Sequence, residues 1–347
     1  MGKGFSAASR GMVIAAIVLG APAAAKHYIP KKTAWGDPDF RGTWPTEYVY
    51  DAEIPLERPM ADGKRAWLIP DEFAARLVKA EKSDKGYSDG PEAAGTRGLA
   101  QWLKATPFGH RSSLLIDPPD GRLPPLTPQA EALFKAGRNS YNEGQPIDWV
   151  ADLDSYDRCI SYGVPLAMLP HPSNDGIRVF QSPGYVVIQL EVFDTRIIPI
   201  GRGGHWPAAV RTWMGDSRGR WEGSTLVIET TNMVAGDSAT SDMAHRSASP
   251  VTGRGHGTIP MSAKASVVER LTMTGPNTIA YQVTYSDPEV FTAPWTAELE
   301  WTRDDTYKMY EFACHEGNEV RELVTSSRAQ RELDAAKAAT VAQGGGN

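Results

Sequence analysis

The segment VVERLTMTGPNTIAYQVTY, residues 267–285, decides the fold class of this chain. Apolar and polar side chains alternate on both sides of the central Gly275-Pro276-Asn277, which has the composition of a turn. A period of two places one face of a strand against a core and leaves the other face in water or along a cavity. The segment therefore predicts an antiparallel hairpin.

The same alternation recurs on both sides of this hairpin. Further strands are predicted at residues 177–180, 185–191, 196–200, 221–230 with a pivot at Gly223, 295–301 and 307–313. So many strands in sequence favour a mainly β fold that forms an antiparallel barrel or a strongly curved sheet. We assign this barrel-like domain to residues 166–325.

Residues 26–165 are rich in proline, glycine and charge, and they predict a wrapping arm with short helices rather than an independent fold. One helix is predicted to begin at Pro70, with two acids in its first turn, and another after Thr127-Pro128, ending before Gly137. Residues 326–347 predict a C-terminal helix with little apolar face, followed by a flexible tail.

The first 25 residues have the three parts of a signal peptide. Positive charges at Lys3 and Arg10 precede an apolar run over residues 12–19, and small residues lead to a cleavage site after Ala25. The alternative is a membrane anchor, but the run is shorter than the roughly 20 residues that span a bilayer. We expect a periplasmic or secreted protein that has no membrane contact after cleavage.

Composition limits the partners of the chain. The 347 residues carry a net charge of −6 without any block of lysine and arginine, so a nucleic-acid partner is not expected. Ten Trp and twelve Tyr provide amphipathic rings that suit a small-molecule ligand or substrate. The oligomeric state stays open.

The chain has two cysteines, Cys159 and Cys314. An even pair in an oxidising compartment favours a disulfide that closes a long loop. The alternative is two buried free thiols. Neither cysteine lies in a Cys-x-x-Cys spacing, so redox or zinc chemistry at cysteine is not expected.

The familiar signatures of serine hydrolases, zinc proteases and penicillin-binding enzymes do not occur in the sequence. Glu191 instead follows an apolar run and is separated from Arg196 by a short connection. The two side chains predict either a cross-strand ion pair or a general base whose pKa is set by its neighbour.

The loop at residues 201–207 carries three glycines before His205 and an indole, Trp206, directly after it. An imidazole suits proton transfer near neutral pH, although an exposed loop histidine is also commonly inert. Residues 213–223 carry two indoles, two acids and two guanidiniums, which predict a pocket for a polar ring or, alternatively, a turn held by Asp216. Glu269 and Arg270 are neighbours in a strand, so one of them faces the interior and is a candidate site residue.

Histidines at positions 205, 245, 256 and 315 together with a carboxylate have the chemistry to bind a transition metal. Their spacing is not that of known ligand pairs, so we predict neither a metal nor another cofactor.

Several short sequence segments together resemble those of a largely uncharacterised family of exported bacterial proteins. They are Phe40–Trp44, Pro125–Pro128, Asp157–Cys159, Gln181–Tyr185, Trp213–Ser217, Gly219–Val227, Val268–Arg270, Asp287-Pro288 and Ala313–Asn318. The resemblance covers nearly the whole mature chain and implies a shared fold, but no agreed activity. Gly42-Thr43-Trp44 is also similar to the opening of lipocalin-type barrels. Where the family has Gly-Arg-Pro-His, this chain has Gly201–His205, and that departure leaves the role of His205 open.

The leading hypothesis is a cofactor-independent periplasmic enzyme, a lyase, isomerase or hydrolase that moves a proton on a ring-containing small molecule. The predicted catalytic residues are Glu191, His205, Arg196 and Arg270. The predicted ligand-binding residues are Trp213, Asp216, Arg218, Trp221, Glu269, Tyr281 and His315, with the two indoles sandwiching the ring. Alternatives are a lipocalin-type carrier of a hydrophobic or aromatic ligand and a structural envelope protein whose interior is filled by its own side chains.

Overall fold

A computed structural model describes residues 28–45, 54–88, 100, 103–104, 106–136, 147–153, 158–161, 163–170, 176–201, 203–235 and 261–344. The predicted signal peptide, the last residues of the predicted tail, His245 and His256 lie outside these ranges. Within them, no helix combines the length and the apolar character needed to cross a membrane.

Ten strands of the described chain form two antiparallel sheets. They are β1 (Gly42–Thr43), β2 (Leu115–Asp117), β3 (Ile177–Ser182), β4 (Tyr185–Leu190), β5 (Thr195–Pro199), β6 (Asp216–Glu222), β7 (Thr225–Thr231), β8 (Ser266–Gly275), β9 (Thr278–Ser286) and β10 (Trp295–Thr302). The small sheet has the order β1-β3-β4-β5, and the large sheet has the order β2-β10-β9-β8-β7-β6. The mainly β prediction is confirmed, whereas a closed barrel is not found among the described residues.

The hairpin predicted from residues 267–285 is confirmed as β8 and β9, which place Leu271 opposite Tyr281. Alternate residues of both strands are buried, as a period of two requires. The pivot at Gly223 is also confirmed, because its φ of +62° forms the turn between β6 and β7.

One hydrophobic core lies between the sheets. Val186 and Ile198 of the small sheet belong to the same buried cluster as residues of the large sheet. Large rings occupy much of this space, since Tyr281 stacks on Trp301 with ring centroids 4.7 Å apart and Trp295 is also buried. The concave space expected between strands is therefore occupied by side chains.

The arm contributes to both sheets, because β1 pairs with β3 and β2 pairs with β10. The two predicted arm helices are confirmed as α1 (Pro70–Ser88) and α2 (Pro128–Ala136), and the hydroxyl of Thr127 accepts a hydrogen bond from the Ala130 N–H at the start of α2. Single turns of 3-10 helix occur at Met60–Asp62, Pro107–His110, Val150–Asp152 and Leu166–Met168.

The strand predicted at residues 307–313 was wrong. This segment is irregular chain that pairs with no strand among the described residues. Glu191 accepts a hydrogen bond from the Tyr310 N–H at 2.7 Å and another from the Tyr307 hydroxyl at 2.6 Å. The C-terminal helix begins earlier than predicted, as α3 (Val320–Gly344).

The predicted disulfide joins Cys159 and Cys314, whose Cα atoms are 5.6 Å apart. It links the chain at the end of the arm to the irregular segment that follows β10. The C-terminal region is therefore covalently fixed to the body of the molecule.

The edges of the two sheets also contact each other. Ile200, just after β5, forms a parallel bridge with Gly219 of β6. At the other edge of the small sheet, the Asp304 N–H donates to the Thr43 carbonyl at 2.9 Å. The small sheet is thus tied along both of its edges to the large sheet or to the chain that follows it.

Candidate functional site

A histidine and a buried carboxylate form a dyad at the start of β6. Nδ1 of His205 lies 3.0 Å from Oδ2 of Asp216. A carboxylate that only accepts hydrogen bonds favours the tautomer of a neutral imidazole with its proton on Nδ1, and in that tautomer Nε2 is an acceptor. Asp216 is 3% exposed whereas the His205 side chain is 27% exposed, so the free nitrogen belongs to the group that solvent and small molecules can reach.

Two further side chains, those of Arg218 and Trp206, lie next to this dyad. The terminal nitrogen of Arg218 lies 3.0 Å from Oδ1 of Asp216. The same guanidinium lies over the Trp206 ring at 5.9 Å from its centroid, and that indole is 45% exposed. A base, a cation and an exposed aromatic ring are therefore gathered in one place.

The fold explains why the loop returns to this strand. β5 and β6 lie side by side through the bridge between Ile200 and Gly219, so the loop that leaves β5 has to come back along β6. The Trp206 N–H then donates to Asp216 at 2.7 Å, and the Asn232 amide donates to the Trp206 carbonyl at 2.9 Å. Both bonds are made by the backbone of Trp206, so they fix the loop directly after His205.

A second polar group is sealed between the sheets. Arg196 makes two hydrogen bonds to Glu269, at 2.9 and 2.5 Å. It also donates to the hydroxyls of Ser217 at 3.1 Å and Thr230 at 3.2 Å, and the Tyr281 hydroxyl donates to Glu269 at 2.9 Å. Five neighbouring strands thus contribute to one network.

Burial governs the electrostatics of this network. It raises the pKa of Tyr281 well above its ordinary value, and the adjacent Glu269 carboxylate raises it further. For Arg196, burial lowers the pKa, but the attraction of Glu269 outweighs it and the pKa is raised overall. Because the Arg196 and Glu269 side chains are 1% and 0% exposed, the pair is placed for structure and not for contact with a substrate.

The predicted pairing of Glu191 with Arg196 was wrong. Arg196 faces the core and binds Glu269, while Glu191 turns toward the C-terminal segment. The Glu191 carboxylate accepts hydrogen bonds from the Gly176 N–H, the Tyr307 hydroxyl and the Tyr310 N–H. These three bonds occupy most of its acceptor capacity, as in a structural anchor.

Other predicted site residues lie apart from the dyad. Of the neighbours in β8, Glu269 faces the core and Arg270 faces outward, where it pairs with Glu222 at 2.9 Å. The two indoles do not form the expected sandwich, because they lie toward opposite ends of β6. Trp221 packs against Phe40 at 5.4 Å, and Trp213 lies beneath the Arg158 guanidinium at 5.6 Å.

His315 is exposed beside the disulfide and does not join the dyad. Within the described part of the chain, no three His, Cys, Asp or Glu side chains are close enough to hold a metal ion.

A cleft of about 420 Å³ lies where the C-terminal segment crosses the end of β4 and the start of β5. Its lining consists of Arg178, Gln189, Leu190, Glu191, Phe193, Thr195, Met309, Tyr310, Glu311 and Phe312. Among the predicted site residues, Glu191 alone lines it. The dyad residues do not.

Sequence reasoning singled out His205 and Asp216 but did not pair them, and it did not assign roles to Trp206, Ser217 or Tyr307. The signal for the dyad was a glycine-rich loop between two strands that lie side by side. That adjacency is a property of the sheets and not of the local pattern.

Comparisons of this chain with protein-family models, with curated proteins and with solved structures found no match.

Proposed function

We propose that this protein is an exported enzyme that transfers a proton on a ring-containing small molecule, with His205 as the general base. The observation that carries the proposal is the buried Asp216 carboxylate on Nδ1 of a partly exposed imidazole. This arrangement fixes the tautomer and orients Nε2, which is the geometry that acid–base catalysis by histidine requires.

Arg218 replaces Arg196 and Arg270 as the group that stabilises a developing anion. It is next to the dyad, it is 20% exposed, and a guanidinium donates in several directions at once. Removal of a proton next to a carbonyl creates negative charge on oxygen, which such a cation stabilises. The product is then an isomer or an eliminated molecule, and activation of water by the same base gives hydrolysis.

Trp206 replaces the sandwich of Trp213 and Trp221 as the platform for the ring. Its exposed indole offers a flat apolar face next to the base. This position supports a ring-containing substrate over an aliphatic one.

The lipocalin-type carrier requires an apolar cavity between the strands. Rings such as Tyr281, Trp295 and Trp301 occupy that space, which supports the surface site over an interior ligand. The contacts along both edges of the small sheet support a strongly curved wall around this core. The disulfide supports an oxidising location such as the periplasm or the cell exterior.

The test is a screen for proton transfer that does not assume the net reaction. Pools of ring-containing carbonyl compounds are incubated with the protein in D₂O, and deuterium incorporation and new products are followed by NMR and mass spectrometry. We expect at least one compound to exchange or react. His205→Ala and Asp216→Asn should each lower that rate by roughly 10²- to 10⁴-fold, because one removes the base and the other its orientation.

Arg220→Ala is the matched control, because Arg220 lies on the same strand but pairs with Glu229 on the exposed face. Its rate should equal that of the wild type, and circular dichroism should show the same fold for every variant. The proposal fails if no compound in the pools exchanges or reacts, or if both dyad variants keep the wild-type rate.

A further inference from the structure

The cleft beside β4 and β5 is a separate feature with its own chemistry. Its volume of about 420 Å³ lies within the usual range for small-molecule sites. None of His205, Asp216 and Arg218 lines it, so ligand binding in this cleft is independent of the proposed enzyme activity.

One positive group faces this cleft. Arg178 is held by a hydrogen bond from its Nε to the Thr43 hydroxyl at 3.2 Å. In the described part of the chain, no carboxylate forms an ion pair with Arg178. Its two terminal nitrogens therefore remain as a fork that matches a carboxylate.

A negative group lines the same cleft. Glu311 is exposed, and its carboxylate has no hydrogen bond or ion pair with any described residue. Glu191 also lines the cleft, but its oxygens accept bonds from Gly176, Tyr307 and Tyr310. Glu311 is thus the carboxylate that can receive an ammonium group.

Aromatic rings complete the lining. Phe193 and Phe312 pack edge to face with centroids 5.0 Å apart, and the Tyr310 ring is 65% exposed. Phe193 has a φ of +59°, in the left-handed region that a bulky residue rarely adopts. The chain therefore holds this ring in the cleft against a backbone preference.

We infer that this cleft binds a zwitterion with an aromatic or large apolar side chain, a free amino acid or a short peptide. The carboxylate of the ligand pairs with Arg178, its ammonium group pairs with Glu311, and its side chain packs against the ring pair of Phe193 and Phe312. A simple anion would meet two glutamates and a simple cation would meet Arg178. A ligand with both charges satisfies each group.

Three probes that differ by one charged group test this assignment. They are L-phenylalanine, 3-phenylpropanoate, which lacks the ammonium group, and 2-phenylethylamine, which lacks the carboxylate. Binding to the full-length oxidised protein is measured by calorimetry and by saturation-transfer NMR. L-phenylalanine should bind about tenfold more tightly than either single-charge probe, since each of those probes lacks one of the two charge-assisted contacts.

Variants of the two charged residues separate the contacts. Arg178→Met should weaken L-phenylalanine about tenfold and leave 2-phenylethylamine unweakened, whereas Glu311→Gln should weaken L-phenylalanine and leave 3-phenylpropanoate unweakened. Arg220→Met is the matched control at an exposed arginine away from the cleft, and it should bind all three probes like the wild type.

The inference is overturned if L-phenylalanine does not bind, if it binds no better than the single-charge probes, or if the Arg178 and Glu311 variants bind it like the wild type. These readouts are independent of catalysis. If the binding tests fail but the His205-dependent activity is found, only the assignment of the cleft is wrong.

Discussion

At the scale of single residues, the Arg196–Glu269 pair ties the two sheets together through a charge. Both side chains are buried, and the guanidinium and the carboxylate make paired hydrogen bonds. Removing water from two charges costs free energy. The attraction between the charges offsets this cost only if their geometry is good and the remaining polar atoms make further hydrogen bonds. Here Ser217 and Thr230 bind a terminal nitrogen of Arg196 and Tyr281 binds Glu269, whereas Nε of Arg196 has no hydrogen-bond partner among the described residues. Loss of one charged partner should therefore cost more than loss of both.

We expect Arg196→Met and Glu269→Leu each to lower the free energy of unfolding by about 3–5 kcal/mol, because each leaves a buried charge without its partner. The double variant should lose clearly less than the sum of the two, and urea unfolding measures all three. Arg220→Met, which breaks an exposed pair, should change stability by less than about 1 kcal/mol. Additive losses in the double variant would contradict a coupled pair.

Glu300 gives a pH-dependent prediction. Burial raises its pKa above the ordinary value of 4.5, partly opposed by a hydrogen bond from Thr106. Between 4.5 and the raised value, the folded protein binds more protons than the unfolded chain, so its stability falls as pH rises. Glu300→Gln removes this penalty and should raise the melting temperature at pH 7, and the gain should vanish below pH 4.5.

The control is Glu222, whose pKa is shifted in the opposite direction to that of Glu300. Arg270 and Arg220 lower the pKa of Glu222, so Glu222→Gln should give a small loss of stability at pH 7 instead of a gain. Equal shifts for both variants, or a gain for Glu300→Gln that persists at pH 3, would show that charge burial is not the cause.

At the scale of elements, alternate side chains of β6 point to opposite faces, and each face contributes to a different polar group: the His205–Asp216 dyad on one side and the Arg196–Glu269 network on the other. Asp216 and Arg218 face the loop that carries His205, whereas Ser217 faces the core and binds Arg196. A shift of register by one residue would exchange these faces and destroy both groups. The start of this strand is therefore the most sensitive point of the proposed site.

Gly215 tests that sensitivity. Its φ is +69°, and a Cβ there would lie 2.5 Å from the backbone oxygen of Thr231. Gly215→Ala should therefore lower the free energy of unfolding by about 1–3 kcal/mol and also lower activity at the adjacent dyad. Urea unfolding measures the first effect. Gly204→Ala is the control, because a Cβ at that position meets open space, and its free energy of unfolding should be nearly that of the wild type. Equal stability of the two variants would contradict a steric and conformational requirement for glycine at position 215.

The elements also show what sequence can predict. Alternating burial is a local property, so the hairpin of β8 and β9 and the turn at Gly223 followed directly from the pattern. Partners across the core are not local. Arg196 was matched to its neighbour Glu191, but its partner is Glu269, which is 73 positions away and belongs to the other sheet.

The cleft was missed for a related reason. Residues 307–313 alternate like a strand, but the Tyr310 N–H bonds to the carboxylate of Glu191. The hydrogen-bond acceptor is thus a side chain and not the backbone of a neighbouring strand, and the local sequence pattern does not distinguish the two cases. The same limit applies to the dyad, since His205 and Asp216 were both singled out and yet given different roles.

At the scale of the whole molecule, the disulfide crosslinks cysteines 155 positions apart. Such a bridge restricts the unfolded chain, so Cys159→Ser with Cys314→Ser should lower the free energy of unfolding by about 4–5 kcal/mol in the chain-entropy model. Urea unfolding with and without reductant measures this. Reductant should destabilise the wild type and have no effect on the double variant. An effect on both, or two free thiols in the untreated protein, would contradict the bridge.

The pairing of β2 with β10 has a consequence for how the protein is made. β2 comes from the arm, yet its partner β10 is the last strand of the described chain, so a ribosome delivers the two at widely separated times. Local hairpins such as β3 with β4 can form as soon as they emerge, but the edge of the large sheet cannot. A nascent chain that stops before Trp295 leaves β2 and β9 without the strand between them. Assembly of this molecule is therefore completed only after nearly all of it has been synthesised.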